Sequence, residues 1–477
     1  MSDRSTCITT KLRSLSQLTC VALSLLVAAL TGCKVGPNYR RPNVPTPVAY
    51  HNSDAQSQAQ VASFADLPWW QVFEDPQLQS LIRTALKENY DLLLATERIN
   101  AARAAVQITR ARQFPQVAGN PDYVGGKDST SRSRFQFLTT AADAAFQLDF
   151  FGRLRRETEA ARAQLMATED ARQTVVLTLV SEVASNYFVL LQLDLQLHIA
   201  QQTVKTQEDS LRLTKLRLDH GVATKLDVMQ AQQVLDTANA EIPDFERQIA
   251  QVEDAISILL GNYPEAVPRG RPLIEQKLPP EVPPGLPSSL IERRPDIREA
   301  EHVLVAANAE IGAAKAQFFP QISLTGSGGG IFGRSSAFSG LMSSQAGFWT
   351  YGAGLTQPIF TGGALRGNVK LAQAQYEQAL IAYRQTIQRA FGDVSDALIG
   401  YQKLHEVRVR QEQTVADLEE SVRLSEMRYR GGITTFLEVL DGQRSLFAAD
   451  LNLALARGNE FQSLIQLYKA LGGGWRQ

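Results

Sequence analysis

The chain has 477 residues, enough for two or three ordinary domains, and 44% of them are hydrophobic. Its 48 Lys and Arg residues nearly balance its 49 Asp and Glu residues, so no basic field favours nucleic acid and no such partner is expected.

The N-terminus has the layout of a secretory signal. Three basic residues precede a 13-residue apolar stretch, 18–30, which is too short to cross a bilayer as a helix. The run Leu30-Thr31-Gly32-Cys33 then resembles a bacterial lipobox, which predicts removal of residues 1–32 and acylation of Cys33 with S-diacylglycerol and N-palmitoyl groups. The alternative is an apolar core helix with an incidental cysteine.

Cys33 is the only cysteine that the mature chain would keep, because the other two lie inside the predicted signal. No disulfide, metal site, catalytic thiol or other cofactor is therefore expected. Lys34 follows the cysteine, where lipoproteins retained at the inner membrane typically carry Asp. The resemblance thus implies sorting to the outer membrane of a Gram-negative bacterium. No later run of 18 apolar residues predicts a transmembrane helix.

The first half of the mature chain begins with a polar, proline-dotted segment, 33–74, which we expect to be an extended strap, with a poorly ordered segment as the alternative. A helical pattern follows from Asp75 to about Gln113. Residues 116–150 have the alternation of a β-hairpin, with a loop predicted at 125–129.

An exceptionally long helix is predicted next. Residues 152–220 contain no proline or internal glycine, and apolar residues recur every seventh position from Val176 to Leu218, as in a coiled-coil seam. Gly221 would cap this helix, and a second helix would run over 222–260 with a kink at Pro243. Eight of the 20 prolines then fall in the predicted linker, 264–288.

The second half repeats the first. Residues 211–235 align with 422–446 at an offset of 211, and nine of these 25 positions are identical. We therefore expect two structural repeats, 75–263 and 289–472, and a C-terminal tail, 473–477. In the second long helix, the residues at every seventh position align with those of the first helix at the same offset of 211. Among them only Arg408 breaks the apolar pattern.

The lengths of these elements constrain the architecture. Sixty-nine helical residues extend roughly 100 Å, and the shorter helices, stacked end to end, would match that length. Each hairpin has room for two strands of about 9–11 residues, the length that crosses an outer membrane. Four strands cannot close a barrel, so closure would need several chains. A small soluble sheet packed on the helices is the alternative.

Signs of catalysis are weak. Gly328, Gly330 and Gly333 match a dinucleotide-binding pattern, but they open no helix, and we expect a loop there. The five histidines stand apart from one another, and no nucleotide-hydrolysing motif occurs. The sequence therefore predicts no enzyme.

Several motifs resemble the outer membrane factor family of tripartite efflux pumps, of the TolC/OprM type, in its acylated NodT-type branch. They are 33–39 (CKVGPNY), 69–78 (WWQVFEDPQL), 285–288 (GLPS), 293–297 (RRPDI), 319–322 (FPQI) and the two Gly-x-x-Thr turns. The resemblance covers the mature chain in order. It implies an α+β membrane protein, a homotrimer with a 12-stranded transmembrane β-barrel, four strands per chain, continued by a long periplasmic α-helical barrel.

The family places the two turns between long and short helices at the periplasmic tip, where adaptor hairpins dock. The candidate docking residues here are Arg217, Gly221, Thr224, Asp227, Arg428, Gly432, Thr435 and Glu438. Plain capped turns are the alternative.

Asp393 and Asp396 are candidates for a pore constriction. Being three residues apart, they share a helix face that points away from the seam through Val394. In a trimer, inward carboxylates would form two rings of six charges in total, selective for cations. Several family members carry such a pair at the closed tip. A solvated outer face is the alternative.

The resulting prediction is a lipid-anchored outer-membrane exit duct that passively conducts drugs or other small toxic molecules. A periplasmic membrane fusion (adaptor) protein and an inner-membrane RND-type transporter would be its partners. The alternatives are a type I-like export duct for another substrate class, a periplasmic coiled-coil lipoprotein scaffold without a pore, and a lipoprotein enzyme.

Overall fold

The structure is a computed structural model that describes residues 34–47, 50, 64–127, 134–277, 287–335 and 346–473. Cys33, the predicted signal, part of the linker and the last four residues lie outside these ranges. The chain forms two compact units. The sheet unit comprises Met1–Asn43, Arg98–Thr168 and Glu299–Tyr383, and the helical unit comprises Val44–Glu97, Glu169–Arg298 and Arg384–Gln477.

Helices and strands follow the same order in both halves. The first half contains α1 (Trp69–Val72), α2 (Pro76–Glu88), α3 (Tyr90–Ala111), β1 (Gln116–Lys127), β2 (Arg134–Leu148), α4 (Arg153–Asp219) and α5 (Lys225–Leu259). The second half contains α6 (Pro287–Arg293), α7 (Pro295–Ala316), β3 (Gln321–Ser335), β4 (Ala346–Thr356), α8 (Ala364–Arg430) and α9 (Phe436–Ala470).

The repeat predicted from the sequence is confirmed in the bounds of the helices. Helices α4 and α8 each have 67 residues, and α5 and α9 each have 35. Every one of these four pairs of ends differs by the same 211 residues. Pro243 lies inside α5 without ending it.

The predicted single helix 75–113 is wrong, because the chain breaks at Asn89 into α2 and α3. Asn89 has extended backbone angles, φ −64° and ψ 128°. Its side-chain oxygen accepts from the backbone of Leu92 at 3.1 Å, and its amide donates to the carbonyl of Leu259 at 3.0 Å. Asparagine at this position therefore begins one helix and caps the end of another, a role that helical periodicity does not reveal.

The predicted apolar seams contain buried residues on both long helices. Val176, Val183 and Leu190 of α4 are buried, as are Ile387 and Val394 of α8. Helix α4 also contains an 18-residue window that is apolar enough to cross a membrane by composition, and 61% of that window is buried within the protein. Burial of this kind is typical of a core helix.

Arg408, the exception in the second seam, pairs with a buried glutamate. Its Nε lies 2.6 Å from Oε2 of Glu460, whose side chain is only 1% exposed. The ring of His405 lies 2.6 Å from the other carboxylate oxygen. The charge is thus accommodated between α8 and α9 because a matching buried charge faces it.

The two hairpins form one antiparallel sheet in the order β1-β2-β3-β4, in which β2 and β3 join the repeats. The strands have 12, 15, 15 and 11 residues, so three of them exceed the predicted 9–11. The loop predicted at 125–129 is wrong for 125–127, because β1 continues to Lys127, which pairs with Arg134. Residues 128 and 129 lie outside the described part.

The glycine motif at Gly328, Gly330 and Gly333 lies in β3, so the loop expected there is wrong. The neighbouring strand β2 approaches this stretch closely. A Cβ atom at Gly333 would collide with the ring of Phe137 and the carbonyl of Gln136. Glycine at this position serves close strand packing rather than phosphate binding.

One row of side chains on β4 is apolar and exposed. Trp349, Tyr351 and Leu355 are 75%, 81% and 67% exposed, and the two aromatic rings stack with their centroids 5.7 Å apart. Small or polar residues alternate with them along the strand, at Thr350, Gly352, Gly354 and Thr356. The row leaves a continuous apolar surface on the sheet that the described part of the chain does not cover.

Asp75 holds the described part of the proline-rich linker within the helical unit. This side chain is 2% exposed and accepts hydrogen bonds from Tyr187 Oη at 3.0 Å, Gln276 Nε2 at 2.6 Å and the backbone of Arg271 at 3.2 Å. Tyr187 Oη also accepts from the backbone of Gly270 at 2.8 Å. Asp75 therefore caps α2 and holds the linker in place.

Candidate functional site

The two predicted tip turns have the same backbone. Gly221 and Gly432 adopt φ values of +73° and +72°. Val222 donates to the carbonyl of Arg217 at 2.8 Å, and Ile433 donates to that of Arg428 at 2.9 Å. These bonds and the left-handed glycine form the helix-ending motif that the sequence predicted.

The turns differ in how the following helix begins. Thr224 and Asp227 form a reciprocal capping box, in which the Asp227 carboxylate accepts from the Thr224 backbone at 2.7 Å. At the second turn, the side chain of Thr435 makes no capping bond. Glu438 instead pairs with Arg428 at 2.8 Å. The acidic residue therefore joins α8 to α9 rather than capping α9.

The two turns pack against each other. The Arg217 guanidinium lies 4.6 Å from the centre of the Tyr429 ring, in a cation–π contact between the repeats. Beneath it is a buried cluster drawn from α4, α5 and α9. Its members are Leu211, Ala231, Leu235, Phe436, Val439 and Leu440. Tyr429 lies on the seam and Phe436 follows the cap residue Thr435, so the sequence did not predict that either would make contacts between the repeats.

The surface of the paired turns is apolar on both repeats. Val222 and its equivalent Ile433 are 66% and 73% exposed, and Leu226 and its equivalent Leu437 are 65% and 54% exposed. Leu213, Leu216, Leu424 and Met427 add two more equivalent pairs. We call the eight side chains the tip surface. Matched exposed apolar pairs of this kind favour contact with a protein partner.

Asp393 and Asp396 lie far from these turns. They precede the end of α8 by 37 and 34 residues, a distance of about 50–55 Å along the helix. Both line a cavity of about 640 Å³ in the helical unit, between α4, α8 and α9. Its wall also contains Arg294, Asp296 and Lys469. The pair therefore occupies the middle of α8, far from the two turns.

Arg294 neutralises one of the two aspartates. Its Nη1 donates to Asp393 at 2.9 Å, and its Nε and Nη2 donate to Asp296 at 3.0 and 2.6 Å. Burial alone lowers the pKa of Arg294, but the two carboxylates outweigh it and raise the pKa above its usual value. Asp396 has no ion-pair partner among the described residues. Sequence reasoning missed Arg294 because it lies about 100 positions away.

Within the described residues, no three His, Cys, Asp or Glu side chains are grouped as a metal centre requires. The geometry that the structure does present is a four-stranded sheet with an exposed apolar row, two very long helices and a paired apolar tip.

Comparison with known proteins agrees with this architecture. The family model "Outer membrane efflux protein" matches residues 81–262 and 286–473. The cation efflux system protein CusC of Escherichia coli O157:H7 is 37% identical over 466 residues, covering 96% of this chain and 98% of CusC. A probable efflux pump outer membrane protein of Pseudomonas putida KT2440, TtgC, is 38% identical and covers 95% of both chains.

The open-state crystal structure of the MtrE outer membrane channel of Neisseria gonorrhoeae has a similar fold. It superposes with a TM-score of 0.84 at 32% identity, covering 93% of this chain and 99% of MtrE. Channels of this kind are trimers whose barrel takes four strands from each chain and continues into a periplasmic helical barrel. The chain belongs to the outer membrane efflux protein family and is a passive channel of the outer membrane rather than an enzyme.

Proposed function

We propose that this channel is the exit duct of a tripartite efflux system and that a periplasmic adaptor docks on the tip surface. The exposed apolar pairs, repeated at 211 residues, are the observation that carries the proposal. In a trimer they would give six nearly equivalent docking positions. An RND-type transporter of the inner membrane would supply the energy, since the channel is passive.

Charge substitutions on the tip surface test the docking. Val222→Glu combined with Ile433→Glu should abolish crosslinking to the adaptor in cells, because a carboxylate would be buried against an apolar partner. Ile381→Glu is the matched control, since Ile381 is also exposed, at 63%, but lies in the sheet unit. Undiminished crosslinking of the double variant, with trimers intact, would disprove docking at this surface.

The proposed cargo is drugs and other toxic small molecules, with the choice made by the transporter. CusC is named for cation efflux and the relative ArpC of Pseudomonas putida for antibiotic efflux, so the family's fold accepts different cargo. Growth of a deletion strain on organic antibiotics and on copper and silver salts separates these classes. Sensitivity to metal salts alone would replace the organic cargo by metal ions.

We propose further that Asp393 and Asp396 make the duct cation-selective, with Asp396 the stronger contributor because Arg294 compensates Asp393. In planar bilayers, Asp396→Asn should weaken cation selectivity more than Asp393→Asn does. Equal selectivity in both variants and the natural protein would show that the pair lies outside the conducting path.

The mature N-terminus is proposed to be lipid-anchored through acylated Cys33, on the strength of the lipobox and of Lys34 after it. Mass spectrometry of the purified protein tests this directly. A free N-terminal amine and thiol on Cys33 would refute it.

A further inference from the structure

Residues 34–41 lie in a groove of the sheet unit and have no regular secondary structure. We call this stretch the anchor segment, because it begins one residue after the proposed acylation site. The groove is formed by the first turns of α4 and by α7. Its contacts with the anchor segment involve buried charge, close backbone packing and a bidentate ion pair.

Arg156 forms the floor of the groove. Its side chain is 1% exposed, yet its guanidinium donates to the carbonyls of Val35 at 3.2 Å and Gly36 at 3.3 Å, and to Asn38 Oδ1 at 2.9 Å. Its other partner is Glu159, at 3.1 Å. Most acceptors of this buried charge therefore belong to the anchor segment, and removal of the segment would leave donors unsatisfied.

Two glycines allow the anchor segment to lie directly on α7. Gly36 has φ +96°, and a Cβ atom there would collide with the backbone of Gly312. A Cβ atom at Gly312 would lie 2.8 Å from Arg156 Nε and 2.9 Å from the carbonyl of Val35. At this point the groove thus accepts an extended backbone, and no side chain fits between that backbone and α7.

The far end of the anchor segment is bound by Glu301 and Asn308. Arg41 donates to both oxygens of Glu301, at 2.8 and 2.5 Å, and Tyr39 Oη donates to the same carboxylate at 3.1 Å. Burial and the Glu301 charge raise the pKa of Tyr39 well above its usual value, so the phenol stays a donor. Asn308 Nδ2 donates to the carbonyl of Pro37 at 3.0 Å.

The near end lies at the junction of β2 and α4. Val35 donates to the carbonyl of Phe151 at 3.2 Å, and Lys34 pairs with Glu159 at 3.4 Å. Phe151 stacks on Phe319, with the ring centres 4.6 Å apart, beside the start of β3. The described chain therefore begins at this base of the sheet, with Lys34 beside Glu159.

We propose that the groove is a recognition site for an extended peptide, that its ligand is the chain's own anchor segment, and that binding holds the acyl chains of Cys33 against the base of the sheet. The positioning of the lipid rests on the acylation proposed above, whereas the recognition of the peptide does not. A lipid held in this way fixes the height of the sheet relative to the membrane surface, which a flexible tether would not do.

Trypsin cleavage after Lys34 and Arg40 tests whether the groove binds the segment. Cleavage of the detergent-solubilised trimer should be slow, and Arg156→Ala or Gly312→Ala should accelerate it at least 10-fold. Arg162→Ala and Gly367→Ala are matched controls, since Arg162 is exposed and a Cβ atom at Gly367 would contact nothing within 4 Å. Rapid cleavage of the natural protein, or no acceleration in folded Gly312→Ala trimers, would overturn the recognition.

Photocrosslinking tests the lipid's position. Cells fed a diazirine fatty acid should yield acyl crosslinks concentrated on peptides that contain Phe151 and Phe319. A six-residue insertion, Lys-Gly-Ser-Gly-Ser-Gly, between Cys33 and Lys34 should disperse these crosslinks at least fivefold while trypsin protection is kept. Dispersed crosslinks in the natural protein would overturn the positioning. Complete absence of acylation would instead refute the proposed anchor and leave peptide recognition to the trypsin result.

Discussion

The guanidinium of Arg294 donates to the carbonyl of Ala470 at 3.2 Å, in the same way that the amide of Asn89 donates to Leu259 at 3.0 Å. Ala470 and Leu259 are equivalent by the 211-residue repeat and end helices α9 and α5. Each bond joins the end of one short helix to the start of another. The end-to-end stacking predicted from helix lengths is therefore present at both junctions, through different side chains.

At the second junction, Arg294→Ala should lower the stability of the protein and raise its cation selectivity. Loss of the bonds to Asp296, Asp393 and Ala470 should destabilise the protein by about 1–3 kcal/mol, seen as a lower melting temperature of the solubilised trimer. Release of Asp393 should increase cation selectivity in planar bilayers. Arg389→Ala, at an exposed position on α8, the helix that contains Asp393, should change neither. A stability loss without a change in selectivity would separate the junction from the conducting path.

The acid stability of the helical unit should depend on Asp75. Burial alone raises the pKa of this carboxyl, but hydrogen bonds from Gln276, Gln77, Tyr187 and Arg271 outweigh it and lower the pKa below its ordinary 3.8. The stabilisation is therefore present above pH 3.8 and lost as the pH falls through the folded-state pKa.

Melting temperatures between pH 2.5 and 6 test this prediction. Asp75→Asn should lower the free energy of unfolding by about 1–3 kcal/mol near pH 6. The difference in stability between the variant and the natural protein should shrink as the pH falls. Glu246→Gln, an exposed carboxyl in the same unit, should show no such convergence. A constant difference across the range would mean that Asp75 is not charged in the fold.

Regular spacing explains which features were predictable. The seven-residue spacing of apolar residues predicted the long helices, the left-handed glycines predicted both turns, and the 211-residue offset predicted the equivalence of the repeats. Each of these signals depends on residues close in sequence or on an exact repetition. The hairpins were also predictable, although three strands exceed the expected length because pairing continues beyond the alternating stretch.

Features that depend on distant partners were not predictable. The break at Asn89 depends on the end of α5, 170 positions later. The compensation of Asp393 depends on Arg294, and the burial of Arg408 depends on Glu460. Each side chain looks ordinary in its own segment, and only the fold brings its partner to it.

Both tip glycines should tolerate alanine poorly and equally. Gly221→Ala and Gly432→Ala would each place a side chain at φ near +73° in otherwise open space, so the cost is backbone strain of about 1–2 kcal/mol. Gly392→Ala is the control, because Gly392 lies inside helix α8 with open space around it and alanine there should stabilise by about 0.5–1 kcal/mol. Melting temperatures that fall at one turn only would contradict the equivalence of the repeats.

The pair Arg408 and Glu460 should be replaceable by the residues of the first repeat. Their equivalents at an offset of 211 are Leu197 and Ile249, which are partly buried and both pack against the apolar cluster of Leu193, Ala200 and Phe245. Arg408→Leu alone removes the arginine from the buried carboxylate, which keeps His405 as its ion-pair partner, and should destabilise by about 3 kcal/mol.

Arg408→Leu combined with Glu460→Ile should recover most of that loss, because two charges that are costly to bury are exchanged for an apolar pair. Glu412 keeps Arg457 as its partner at 3.1 Å, and the half-exposed His405 ring can bind water. Chemical denaturation of these two variants, of Glu460→Ile alone and of the natural protein completes the double-mutant cycle, and the coupling energy should be about 2–3 kcal/mol. If the double variant is less stable than Arg408→Leu alone, the geometry of the second seam requires the charged pair, and the two repeats are not interchangeable at this layer.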